Sequence, residues 1–216
     1  MCIKNIVIVG KGGFAKEVKW LIDRINQNTK EWNFLGFIDQ RADAENVVGD
    51  DDFVANMHEE LSVVLAIGNS KLRNSIYKKY KENKHLNFPN LIDPSVKMSE
   101  SIYLGEGNII CANNVLTVDI VLGSFNIINL NCTVGHDVNI GSFNTINPNV
   151  SISGNITLKN YIEVGTGTKI IQGKTVGDGV IIGAGSVVIH DISAENTVVG
   201  VPAKVIKCHK KSGKDE

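Results

Sequence analysis

The chain has no marked excess of either charge: 22 lysines and arginines face 23 aspartates and glutamates, a formal net charge of −1. Nothing in it is basic enough for a nucleic-acid partner. It has no apolar run of eighteen residues, and Met1-Cys2-Ile3-Lys4 does not open a secretory signal, so membrane insertion is not expected. Its four cysteines, Cys2, Cys111, Cys132 and Cys208, form no CxxC pair and no zinc-ligand spacing. They read as reduced thiols of a cytoplasmic protein, with no metal expected. Aromatic residues are few, at 6 %, and the 216-residue length allows one or two domains.

What the chain does have is a beat. From Ile92 to Val188 every sixth residue is a large aliphatic, including Leu104, Ile110, Leu116, Leu122, Ile128, Val134, Ile140, Ile146, Ile152 and Leu158. Six is neither a helix nor a simple strand period. It fits a coil in which each short flat side places one side chain inward, three sides making a turn of eighteen residues. The eighteen is visible directly. Gly123-Ser124-Phe125-Asn126-Ile127-Ile128-Asn129 recurs as Gly141-Ser142-Phe143-Asn144-Thr145-Ile146-Asn147, and Asn108, Asn126 and Asn144 share the spacing, as do Asn113, Asn131 and Asn149. Such asparagines are expected to form ladders or bond turn backbones. The glycines that often follow the beat residue (Gly105, Gly123, Gly135, Gly141, Gly165, Gly177, Gly183) suit corners where φ is unusual or space is short.

The first residues read differently. Ile6-Val7-Ile8-Val9 is a continuous apolar run, as in a parallel strand buried on both faces. It leads into Gly10-Lys11-Gly12-Gly13-Phe14-Ala15 and a helix with Val18, Leu21, Ile22 and Ile25 on one face. Strand, glycine turn and helix match G-x-G-x-x-A. Gly10, Gly12 and Gly13 then either present backbone N–H groups to a diphosphate or serve a tight turn only. A second strand, Phe34 to Ile38, ends at Asp39, which suits a ribose hydroxyl or base, or alternatively a cap. A third strand, Ser62 to Ile67, stops at Gly68 and Asn69, where open α/β sheets bind ligands. Ser70 is expected to cap a helix from Lys71 to about Lys84. The expectation is an α/β Rossmann-like domain over 1–87, too short for a dinucleotide fold and suited to one nucleotide. A β-helix domain over 88–216 follows, with a solenoid to about Asp191 and frayed residues from Lys207 to Glu216.

Between Ser101 and Thr157 the charged residues are Glu106, Asp119 and Asp137, and the one histidine is His136. A histidine is suited to accept a proton near neutral pH, and Asp137 to hold it. Neighbours on a flat strand point to opposite faces, so direct contact needs a corner or a neighbouring chain. The bland reading is a surface histidine. Gly154, one coil above His136, can offer its N–H to a thioester oxygen or be a corner glycine. Asn129 can orient substrate or join Asn147 in a ladder. Asp119, one coil below Asp137, can tune the pair. Cys132 reads better as a packed thiol than as a nucleophile.

The glycine turn, Gly36-Phe37-Ile38-Asp39, the six-residue beat, Gly135-His136-Asp137 and the closing Gly200-Val201-Pro202-Ala203-Lys204 together resemble the PglD/NeuD-type sugar acyltransferases over nearly the whole chain. The resemblance implies a left-handed parallel β-helix of hexapeptide repeats and a homotrimer. It implies acetyl-CoA in the groove between neighbouring prisms, contacted near Gly154, Gly165, Ala184 and Pro202. It implies a nucleotide-linked amino sugar held by the first domain, with His136 as general base, Asp137 as the acid that follows it and Asn129 in the site. The chain departs from many relatives in carrying Phe14 where they have a histidine. Expected activities are acetyl transfer to a nucleotide-linked 4-amino-deoxy sugar, O-acetylation of a sugar such as sialic acid, or no catalysis at all in a binding solenoid.

Overall fold

The structure is a computed structural model that describes residues 3–40 and 45–209. Its first part is a parallel sheet in the order β3-β2-β1-β4-β5. The elements run β1 (Lys4–Val9), α1 (Gly13–Thr29), β2 (Trp32–Ile38), β3 (Val47–Gly49), α2 (Asp51–Ala55), β4 (Leu61–Leu65), α3 (Ser70–Tyr80) and β5 (Leu86–Asn87). Helices on both faces bury Ile6 to Val9 and Val63 to Leu65, hence their unbroken apolar runs. In α1, Ala15, Val18, Leu21, Ile22 and Ile25 form the buried face. The cap of α3 is Asn69 rather than Ser70: its Oδ1 accepts from Leu72 N at 2.9 Å. The helix also ends at Tyr80, short of Lys84. Asn83 turns the chain toward β5, its Nδ2 donating to Ala55 O and Met57 O at 3.0 and 2.9 Å.

The second part is a triangular left-handed parallel β-helix. Two-residue strands recur every six residues from Leu91–Ile92 to Val187–Val188. Each pairs in parallel with the strand eighteen residues on, as Ile109↔Ile127 and Thr133↔Ser151 do. Three sheets result. The beat residues point inward and form one continuous core with Ile120, Val138, Ile156 and Val180. Asn108, Asn126 and Asn144 are buried between coils. Asn126 Nδ2 donates to Gly141 O at 2.9 Å, and its Oδ1 accepts from Asn144 N at 2.9 Å. The ladder therefore replaces water for backbone groups that face no strand.

The corners decide between the two reasons given for the glycines after the beat residue: space is short at them, and their φ is not unusual. Left-handed φ values occur every sixth residue from Gly107 to Gly185, at positions that include Asn113, Asp119, Phe125, Asn131, Asp137, Phe143, Asn149 and Tyr161. The glycines after the beat residue are not there. They stand where successive coils touch: a Cβ on Gly165 would lie 2.5 Å from Ala184 N, and one on Gly135 2.7 Å from Gly154 N. Asparagine and aspartate tolerate the left-handed corner, while aromatic residues carry a cost there. Phe125, Phe143 and Tyr161 offset it by stacking, with centroids 5.1 and 5.6 Å apart.

The two parts share a seam. The face built from residues 91–92, 109–110, 127–128 and 145–146 turns Leu91, Ile109 and Ile127 outward into the cluster of Ile6, Ile8, Val18 and Leu21. Tyr77 of α3 and Phe88 pack on the aromatic stack, with centroid distances to Phe125 of 4.3 and 5.4 Å. Arg24 of α1 donates Nε to Asp93 Oδ2 at 2.5 Å and Nη2 to Oδ1 at 3.0 Å. At the far end, Asn196–Val199 continues the docking-face sheet and pairs antiparallel with Lys204–Cys208. Lys207 and Cys208 are thus strand residues, not frayed, because Thr197 pairs with Lys207. The rest of that expected tail, 210–216, lies outside the described residues, as does Cys2.

Candidate active site

Following the chain around one coil places the candidate residues. The docking face (127–128) passes through a corner at 129–131 to a second face (133–134). It then passes through a corner at 135–137 to a third face (139–140) and returns. His136 and Asp137 thus occupy the corner opposite the docking face. Asp137 has φ 57, and the bend brings neighbouring side chains together: His136 Nδ1 lies 2.7 Å from Asp137 Oδ2. The contact needs no second chain. With Asp137 accepting from Nδ1–H, Nε2 carries the free lone pair. That nitrogen faces Gly154, where an added Cβ would overlap the imidazole. The Gly154 N–H has no acceptor among the described residues, whereas Ser153 N and Asn155 N donate to Ile170 O and His136 O. A proton acceptor and an unpaired backbone donor therefore stand side by side on an exposed corner, His136 being 51 % accessible. Around that corner Tyr103, Val115, Val118 and Val121 expose apolar surface. Asp119, in the coil below, uses its N–H on Ser101 Oγ at 2.9 Å.

The other candidates lie elsewhere. Gly165 and Ala184 stack at the corner between docking and second faces, and Pro202 follows in the hairpin, where Ala203 N donates to Val187 O at 2.8 Å. In one chain the second face separates them from Gly154. Asn129, at the same corner but lower, lines a cleft of about 250 Å³ with Gly13, Phe14, Glu17, Gly68, Ile127, Thr145 and Asn147. It makes no ladder bond to Asn147: its Oδ1 accepts from Leu130 N at 2.7 Å, and Asn147 Nδ2 donates to Val164 O at 3.0 Å. Cys132 is buried, and burial pushes its thiol up to about 11. It is a packed thiol, with no thiolate available at neutral pH.

The glycine turn divides between its two readings. Gly10 has φ +103, and a Cβ would stand 3.2 Å from Ala66 O, so it is required by the turn. Gly12, Gly13 and Gly68 meet nothing within 4 Å where a side chain would be. Gly12 caps α1 without a side-chain bond, and no acid occupies the helix's first turn. The N-terminal N–H groups of α1 are therefore left bare on the cleft side. On the other side of the turn Gly10, Asp39, Gln40, Ser75 and Lys79 line a second cleft of about 580 Å³ at the carboxyl ends of β1, β2 and β4. Asp39 itself donates its N–H to Gly49 O at 3.1 Å. Asn69 faces solvent, its side-chain oxygen taken by the α3 cap. Sequence reasoning missed Arg73 and Thr145, which join the two parts behind the first cleft. Thr145 breaks the outward apolar column Leu91, Ile109, Ile127, a signal readable at the eighteen-residue spacing.

The family described as the PglD N-terminal domain matches residues 5–80. The acetyltransferase domain of PglB from Neisseria gonorrhoeae, solved in complex with acetyl coenzyme A, is 30 % identical, with TM-score 0.87 over 95 % of this chain and 100 % of that one. A point mutant of perosamine N-acetyltransferase from Caulobacter crescentus, in complex with CoA and GDP-perosamine, is 30 % identical, with TM-score 0.88 over 95 % and 98 % of the two chains. WeeI from Acinetobacter baumannii AYE is 26 % identical, with TM-score 0.83 over 94 % and 100 %. No curated protein matches by sequence. The chain belongs to the PglD/NeuD-type, acetyl-CoA-dependent sugar acyltransferases of the hexapeptide-repeat superfamily. Among the described residues no group of His, Cys, Asp or Glu could hold a metal ion, and no helix is long and apolar enough to cross a membrane.

Proposed function

We propose that the protein moves an acetyl group from acetyl-CoA to the amine of a nucleotide-linked 4-amino-deoxy sugar, by direct transfer with His136 as general base. The observation that carries this is the pairing of an Asp137-held imidazole with the unpaired Gly154 N–H. His136 Nε2 takes a proton from the amine as nitrogen bonds to the thioester carbon. Gly154 N–H receives the charge that builds on the carbonyl oxygen. When the C–S bond breaks, His136 returns the proton to the CoA sulfur. Cys132 takes no part.

The nucleotide-linked sugar is held at the glycine turn, with Gly12, Gly13 and Gly68 leaving room for the diphosphate. Gly10 and Asp39 border the cleft for the nucleoside, Asn69 stands at its rim, and Asn129 faces the sugar. This arrangement lies on the docking face, while His136 is at the opposite corner of the same coil. The reading therefore requires neighbouring copies: a homotrimer in which the His136 corner of one prism meets the substrate cleft of the next. The apolar patch of Tyr103, Val115, Val118 and Val121 is the surface that this contact covers. Gly165, Ala184 and Pro202 of the adjoining corner then line the acetyl-CoA groove with Gly154. The exposed, unpaired Cys208 suits a reducing cytoplasm.

The test is thiol release with acetyl-CoA and UDP-, dTDP- and GDP-linked amino sugars. His136→Ala is expected to lose on the order of a hundredfold in kcat with substrate affinity kept. Release with a hydroxyl sugar and with no amino sugar would overturn the N-acetyl reading. A monomeric mass at micromolar concentration would overturn the shared site.

A further inference from the structure

Arg73 is a buried cation with no carboxylate beside it among the described residues. Its residue is 1 % exposed. Nε donates to Phe125 O at 3.0 Å. Nη1 donates to Ile67 O at 2.5 Å, Gly68 O at 3.1 Å and Thr145 Oγ1 at 3.2 Å. Nη2 donates to Asn144 O at 3.0 Å and Thr145 Oγ1 at 3.2 Å. Every acceptor is neutral. Burial pushes the guanidinium down to about 9, which still leaves it charged at neutral pH. A buried charge without an opposite charge is costly, and so many neutral acceptors on one side chain make it a rigid fixture rather than a chance burial.

Its position gives the charge a use. Gly68 and Thr145, both bonded to Arg73, are wall residues of the 250 Å³ cleft. Thr145 Oγ1 also donates to Gly68 O at 2.7 Å, tying the α/β wall to the solenoid wall. The charge thus stands one layer of atoms behind the cleft surface. The opposite wall carries the uncapped start of α1 at Gly13 and Phe14. Glu17, the one carboxylate of the lining, is exposed and has no bond to Arg73.

We infer that Arg73 is a positioning and specificity-determining residue for the anionic part of the substrate. It locks the two walls of the cleft at one spacing, and its uncompensated charge favours a diphosphate there over an uncharged group. The inference rests on the nucleotide-linked sugar as substrate. Arg73 acts through Gly68 and Thr145 and touches no reacting atom.

Calorimetric binding of UDP, GDP and dTDP, each against its own nucleoside, to the full chain tests it. Wild-type protein is expected to prefer one diphosphate over its nucleoside. Arg73→Met is expected to weaken that diphosphate on the order of tenfold while leaving the nucleoside within about twofold, and Arg73→Lys to keep the preference. Arg73→Gln, which keeps amide donors for Gly68 and Asn144, is the second neutral variant should Arg73→Met not fold. Equal losses for diphosphate and nucleoside in a folded neutral variant would mean a scaffold role alone and overturn the inference. Loss of the preference in Arg73→Lys would overturn the role of charge. Wild-type protein that binds no nucleotide at all would instead overturn the substrate reading on which it rests.

Discussion

In the α/β part, β1 and β4 bury side chains on both faces, and the bare glycines sit in the turns at the strand ends. In the solenoid, most two-residue strands turn the beat residue inward and the other outward, Ile109, Ile127 and Thr145 being covered by the seam, and asparagines take over the backbone groups between coils. The first part is held by a sheet with helices packed on it, the second by stacking. The difference assigns separate work. A turn at the end of a buried strand can stay open to a ligand, and a corner of a stacked coil can hold a side chain rigidly outward. On the proposed reading the two kinds of site meet through assembly of copies, while the seam between the parts fixes the shape of the cleft.

The largest expected effect comes from breaking that seam. Ile109→Asp would bury a charge among Ile6, Val18 and Leu21, and is expected to cost at least about 4 kcal/mol. Trp20 and Trp32, the two tryptophans, both lie in the α/β part, so their fluorescence transition should fall while the β-helix circular dichroism holds. A shared melting shift would show that the parts fold as one unit. Asn126→Ala addresses the other half. It strands Asn144 N–H and Gly141 O between coils, and about 3 kcal/mol should be lost, this time from the dichroism transition first.

Gly154→Ala leaves folding little changed but pushes the imidazole aside. A fall on the order of a hundredfold in kcat, with acetyl-CoA affinity kept, is expected; full activity would remove Gly154 and His136 from one site. The smallest effect concerns Asp93. Burial opposes its charge, but bonds from Arg24 and Ser95 outweigh that and hold its carboxyl below the ordinary 3.8. The folded chain therefore binds this proton more weakly than the unfolded one. The stabilisation is whole above 3.8 and is lost as pH falls through the lower, folded value. Asp93→Asn should cost about 2 kcal/mol near neutral pH, measured by denaturant unfolding, and flatten that acid-side loss.

Much of this was legible beforehand in particular residues. The six-residue beat gave the coil, and the isolation of His136 and Asp137 on a nearly uncharged stretch singled out the pair that the structure brings into contact. Arg73 was not legible. It sits between Leu72 and Asn74 on a polar helix and reads as solvated until α3 docks. Nor were Phe125, Phe143 and Tyr161 readable as corner residues, because nothing in an aromatic side chain announces a left-handed φ. The role of Ser70 was misplaced by one position because Asn69 caps just as well.

Periodicity is a local property, repeated in every coil, so the sequence alone determined that this chain winds into a three-sided prism and which side chains fill it. Which residues stand near one another across coils, corners and the seam depends on bends and packing that no short stretch encodes. Tertiary structure alone decided that His136 touches Asp137, that it lies at the corner opposite the docking face, and that Arg73 is buried behind the cleft wall.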